Sequence, residues 1–174
     1  GIVENKGVVG DYDDDLKAVV TGTRDKVAEK MADLRVADSM TEIFNLFRRC
    51  NRYIDETMPW VLAKDEASKD RLATVLYNLV EGITIGASLL SPYMPETSEK
   101  IFAQLNTSMV EFDNLATFGN YKSGTKVTEK PQILFARLDE KEVMEKAKVL
   151  MEKQAASVKA ANAAVEEDTV IDIE

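Results

Sequence analysis

The sequence predicts an all-α helical bundle of about five helices, with one short extended excursion between residues 120 and 138. Three observations lead there. Apolar residues recur at three-, four- and seven-residue steps through most of the first 105 positions, the spacing that one face of an α-helix requires. Prolines stand where this period breaks, at Pro59, Pro92 and Pro95, and proline ends a helix by removing an amide donor and restricting the residue before it. Lys126 to Phe135 instead alternates, with Pro131 interrupting it, which suits an edge-like extended segment.

Residues 1–10, with Gly1, Gly7 and Gly10, are expected to form a lead-in loop. Asp11, Asp13, Asp14 and Asp15 follow, where a helix N-terminus favours negative charge. Leu16, Val19, Val20, Val27, Met31 and Leu34 give the first helix an inward face to about Arg35, with Gly22 its weak point. A second helix runs from about Ala37 to Thr57 with Met40, Ile43, Phe44, Phe47, Ile54 and Met58 inward. Asn51 falls on that stripe and is expected to be a buried, hydrogen-bonded amide.

Glu66 to Leu90 forms a third, longer helix with Leu72, Val75, Leu76, Leu79, Ile83 and Leu90 inward, and Gly82 and Gly86 four apart permit close helix approach. Pro92 and Pro95 bracket Tyr93 and Met94 as a tight corner. Pro95 suits the first turn of a fourth helix to about Leu105, anchored by Ile101, Phe102 and Leu105. From Asn106 to Leu138 the pattern loosens around Gly119 and Gly124. Asp139 with Glu142 forms a capping box for a last helix carrying Val143, Ala147, Leu150 and Gln154 on one stripe. The helical domain is thus expected over residues 11–155 and a linker over 156–174, where Thr169 to Glu174 alternates like the start of a strand.

Composition removes several function classes. With no histidine and one cysteine, Cys50, the chain offers no imidazole base, no Ser-His or Cys-His nucleophile pair and no structural zinc site. The lone cysteine cannot form an internal disulfide and fits a reducing cytoplasm. A net charge of -9, from 31 acidic and 22 basic residues, argues against a generic phosphate-coating surface, so any nucleic-acid contact must be local. The apolar stretches are interrupted short of a membrane span, and the N-terminus lacks the order of a signal peptide and an initiator methionine. The chain is expected to be a non-catalytic piece of something longer: no Gly-rich phosphate loop is present, and its carboxylate runs lie at a helix start and in the linker.

The stretch Asn51 to Trp60 holds the densest functional signal. Its Trp60, the only tryptophan, directly follows the helix-ending Pro59; Arg48, Arg49 and Arg52 precede it and Lys64 follows. Cations for phosphates beside a ring for an unpaired base are what single-stranded nucleic acid needs. A core plug is the other reading of Trp60, and ion pairing with Asp55 and Glu56 is the other reading of the arginines. Tyr53 is read as a helix-packing side chain and Asp55 as an acceptor that organises the proline corner.

The run N-R-Y-I-D-E-T-M-P-W-V-L-A-K, then R-L-A-T-V-L-Y-N-L-V-E-G, then L-L-S-P-Y-M-P-E-T-S-E-K-I-F, resembles the helical anticodon-binding domain of bacterial methionyl-tRNA synthetases. Phe118 to Val127 and Pro131 to Leu138 resemble the segment that returns toward the catalytic domain in that family; the resemblance covers roughly residues 1–155. It implies an anticodon-binding bundle of the class Ia aminoacyl-tRNA synthetase type, with the tRNA anticodon loop as partner and Trp60, Pro59, Arg48, Arg49, Arg52 and Lys64 at the contact. Asn51, Tyr53 and Asp55 would support them. It also implies that base-edge readers lie on a helix upstream of Gly1, and that ATP, with room for zinc, belongs to an absent catalytic part. The tail from Thr169 resembles the first strand of an OB-type tRNA-binding domain. A structural bundle docking on a catalytic domain, and a helical protein-interaction domain using its acidic surface, are the alternative readings.

Overall fold

The structure, a computed structural model, describes residues 1–168, with side chains through residue 158. Its elements are β1 (Ile2–Val3), α1 (Asp13–Ala32), α2 (Val36–Thr57), the four-residue α3 (Pro59–Leu62), α4 (Lys69–Leu90), α5 (Pro95–Leu105), β2 (Thr125–Lys126) and α6 (Glu140–Asp168). Short 3-10 turns occupy Glu66–Ser68 and Phe112–Ala116. The all-α expectation of about five helices therefore holds, α3 being an additional single turn. The chain forms two compact units, Gly1–Leu134 and the residues from Phe135 on.

In the first unit α1, α2 and α4 pack together around Leu16, Val20, Val27, Ile43, Leu46, Cys50, Tyr53, Val75, Leu79, Ile85 and Leu89. The inward face of α2 is only partly the predicted one: Ile43 is buried and Phe47 and Ile54 pack partly buried against the core as expected, but Ser39, Leu46, Cys50 and Tyr53 are buried too, while Phe44, Asn51 and Met58 are exposed. Ser39 and Tyr53 can face inward because their hydroxyls find partners, Ser39 Oγ meeting Tyr93 Oη at 2.5 Å and Tyr53 Oη donating to Asp13 at 2.6 Å. Asn51 is thus a surface amide, and the buried hydrogen-bonded role predicted for it is corrected. Leu34, in left-handed backbone after the end of α1, and Met31 also lie outside the core, as does Leu76 of α4.

Close approach of α2 and α4 depends on the two glycines of α4. A Cβ on Gly86 would stand 2.6 Å from the Phe47 ring, and one on Gly82 would stand 2.9 Å from Cys50 Sγ. The same helix with its preceding turn, Glu66–Leu90, is long and apolar enough to cross a membrane, contrary to the sequence expectation, but 72% of its apolar window is buried in the protein. It is the core helix of the bundle.

The lead-in is more ordered than a loop. Ile2 pairs with Lys126 and Val3 with Thr125 in an antiparallel two-stranded ribbon, so the extended excursion is a strand of two residues rather than a run to Phe135. Buried Glu81 fixes the approach to this ribbon: its Oε1 accepts from the Gly119 and Asn120 amides, both at 2.8 Å, and its Oε2 from the Tyr121 amide at 2.7 Å.

In the second unit Asp139 caps α6, its Oδ1 accepting from the amides of Lys141 at 2.9 Å and Glu142 at 3.2 Å. The helix continues to Asp168, so residues 156–168 are helical where a linker was expected. Its Val143 and Leu150 are exposed rather than inward. The strand expected from Thr169 lies outside the described residues.

Candidate nucleic-acid interface

The candidate site is built where α2 ends. Thr57 Oγ1 donates back to the Tyr53 carbonyl at 2.6 Å, closing the last turn. Met58 then takes left-handed backbone, φ 44° and ψ 61°, while its amide donates to the Ile54 carbonyl at 2.9 Å. Such a left-handed cap is uncommon for a residue with a Cβ. Pro59 starts the one-turn α3, where its missing amide hydrogen removes nothing that the turn needs. The chain changes direction, and the ring of Trp60 emerges 52% exposed, beside exposed Met58 and Val61. This exposure sets aside the core-plug reading: Trp60 is outside the core.

The four cations separate into two kinds. Arg48 and Arg52 lie four apart on α2, a spacing that shares a face, and both are exposed; Arg48 Nη2 donates to Asn45 at 2.7 Å and Arg52 Nε to Glu56 at 2.8 Å. Lys64 is exposed, with no ion pair among the described residues. Arg49 is different. Its side chain is only 10% exposed and is held between Asp15 and Glu56. The phosphate-gripping role predicted for Arg49 is therefore corrected, because its guanidinium faces protein carboxylates. Asp55 is exposed and accepts no hydrogen bond among the described residues, so the corner is organised by Thr57 and Met58 instead.

Behind this edge lies a buried polar network that sequence reasoning missed. Asp13, predicted to be a solvated member of an acidic run, is buried at the start of α1 and pairs bidentately with Arg71 of α4, both bonds at 2.7 Å. Tyr53 donates to the same carboxylate and accepts from Asn78 Nδ2 at 3.2 Å. Arg71 also donates to the Val8 carbonyl at 2.8 Å, tying the lead-in to the bundle. Burial alone would raise the Asp13 pKa, yet the hydrogen bonds from Arg71 and Tyr53 prevail and hold it below the usual aspartate value. Burial first, and then the bond to Asp13, push the Tyr53 phenol up to about 12. Tyr53 is thus the packing residue that the sequence suggested, with a polar task added.

Beside this geometry stands a likeness in sequence and fold to known proteins. The sequence profile of the anticodon binding domain of methionyl tRNA ligase matches residues 3–155. The chain belongs to that family. Among its relatives, the methionine–tRNA ligase of Clostridium tetani is 48% identical over 127 residues, which are 73% of this chain and 20% of the relative. That of Clostridium perfringens is 38% identical over 170 residues, 98% of this chain and 26% of the relative. The chain therefore spans about a fifth to a quarter of the length of such curated relatives. Among solved structures, the apo form of Mycobacterium tuberculosis methionyl-tRNA synthetase superposes with a TM-score of 0.72 at 29% identity, covering 80% of this chain and 28% of that one.

Proposed function

We propose that this chain is the tRNA anticodon-recognition module of a methionine–tRNA ligase, and that Trp60 is the platform on which an unpaired anticodon base stacks. The observation that carries the reading is the exposed Trp60 ring, turned out of the bundle by the left-handed Met58 and by Pro59. Stacking one base on such a ring contributes about 1–3 kcal/mol. Arg48, Arg52 and Lys64 supply local positive charge for the loop phosphates on a chain whose net charge of -9 disfavours indiscriminate binding.

A flat ring does not choose among bases, because every base has a face; choice comes from hydrogen bonds to Watson–Crick edges. In this reading those donors stand on a helix upstream of Gly1. The joining of methionine to tRNA with ATP, together with any zinc, belongs to the catalytic part of the cytoplasmic ligase. In this reading the segment after Pro131, whose sequence resembles the family's return segment, is the part of the chain that contacts the catalytic part.

Fluorescence-independent binding of a labelled methionine anticodon hairpin, by the wild-type chain and by Trp60→Ala and Trp60→Phe, tests the proposal. Binding is expected to be weak for wild type, lost in the alanine variant and partly kept by phenylalanine, which retains a flat ring. A permuted anticodon is expected to bind almost as well as the native one. Unchanged binding by Trp60→Ala would remove the platform.

A further inference from the structure

We infer that Arg49 is a positioning residue that sets the direction of the Trp60 platform, an inference that rests on the stacking reading above. Its guanidinium joins the first turn of α1 to the last turn of α2. Nε donates to Asp15 Oδ2 at 2.5 Å, Nη2 to the Tyr12 carbonyl at 3.4 Å, and Nη1 lies 3.0 Å from Glu56 Oε2. The plane also lies over the Tyr53 ring, 5.9 Å from its centroid. Nη1 and Glu56 Oε2 are both buried with no hydrogen-bond partner among the described residues, so their ion pair is what each has to offset lost water.

The clamp acts where orientation is decided. Glu56 stands one residue before the last residue of α2, two before left-handed Met58 and four before Trp60. A change in the tilt of this turn is carried through the short Met58-Pro59 connection to the indole. Without Arg49, the Glu56 carboxylate keeps, among the described residues, only Arg52, which accounts for one of its oxygens and whose side chain is 76% exposed. The turn then loses its tie to α1. Arginine suits this task and lysine does not, because only a planar fork reaches two carboxylates and a carbonyl at once. A phosphate grip would need the same nitrogens to be free, and here they face protein acceptors.

Salt dependence separates the two roles. The full 174-residue chain would be titrated with the methionine anticodon hairpin at several salt concentrations, as wild type, Arg49→Lys, Arg49→Gln and Trp60→Ala, with melting curves confirming that each is folded at the measuring temperature. A positioning role predicts that Arg49→Lys and Arg49→Gln both weaken binding about tenfold. It also predicts that the slope of log affinity against log salt is kept and that iodide quenching of Trp60 is altered in the free protein. Wild-type affinity in Arg49→Lys, with a salt slope reduced by about one in Arg49→Gln, would mean a phosphate contact and overturn the inference. Loss of binding in Trp60→Ala with none in either Arg49 variant would overturn the positioning role alone. Full binding by Trp60→Ala would overturn the stacking reading and the inference with it. Should Arg49→Gln unfold, Glu56→Gln carries the same expectation from the other end of the clamp.

Discussion

Tyr53 and Trp60 are seven residues apart and have opposite fates: Tyr53 is fully buried, whereas Trp60 is 52% exposed. Seven residues are about two turns of an α-helix, so in an unbroken α2 the two rings would lie on one face and both would enter the core. What separates them is the left-handed Met58 followed by Pro59. The comparison teaches that an aromatic residue reaches the surface here through backbone direction rather than through a polar neighbourhood. It also shows why Tyr53 must be polar at its tip, since its hydroxyl completes the shell of a buried carboxylate.

The largest effect should come from exchanging the two rings for alanine. Tyr53→Ala is expected to cost about 3–5 kcal/mol in chemical denaturation, from the lost ring and the partners it strands. Trp60→Ala should change stability by less than about 0.5 kcal/mol, as surface substitutions do. Equal losses would mean that the break does not separate them.

Asp13 gives the next effect, and a pH signature. Asp13→Asn should cost about 2–3 kcal/mol at pH 7 by weakening charge-assisted bonds. The folded carboxyl holds its proton less tightly than the unfolded one. Its stabilisation is therefore fully present above the ordinary aspartate value and is lost as pH falls through the lower folded value. The stability gap between wild type and Asp13→Asn should shrink on acidification below about pH 4; a gap that instead grows would contradict the pairing.

Smaller effects sharpen the packing side. Gly86→Ala should destabilise by about 1–3 kcal/mol, because Phe47 must give way to the new methyl group. Asn51→Ala should shift the unfolding midpoint by less than about 0.5 kcal/mol, reversing the expectation drawn from sequence. A loss of several kcal/mol at Asn51 would return it to the interior.

The long helices were legible because their signals are local: apolar spacing, Pro59 and Pro95 at the breaks, and Asp139 at the α6 cap. The full inward face of α2 was not, because hydropathy marks Phe44 and Met58, which are exposed, and overlooks Ser39, whose partner Tyr93 is distant in sequence. Asp13 was hidden among like neighbours, since what distinguishes it from Asp14 and Asp15 is its bonding to Arg71 and Tyr53, 58 and 40 residues away. The ribbon of Ile2–Val3 with Thr125–Lys126 joins strands too short and too far apart for any pattern to reveal. At the candidate site, proline marked the break at Trp60, while the contrast between clamped Arg49 and exposed Arg48 and Arg52 came only from their surroundings.

Because Trp60 is the only tryptophan, its fluorescence reports on that ring alone. The most direct test is to measure its emission and iodide quenching in the free chain and during titration with the methionine anticodon hairpin. The structure and the stacking proposal predict red-shifted, iodide-accessible emission in the free protein, then quenching by the hairpin together with protection from iodide. A blue-shifted emission insensitive to iodide in the free chain, or a hairpin that binds without changing it, would contradict the claim that the break after α2 presents this ring to an anticodon base.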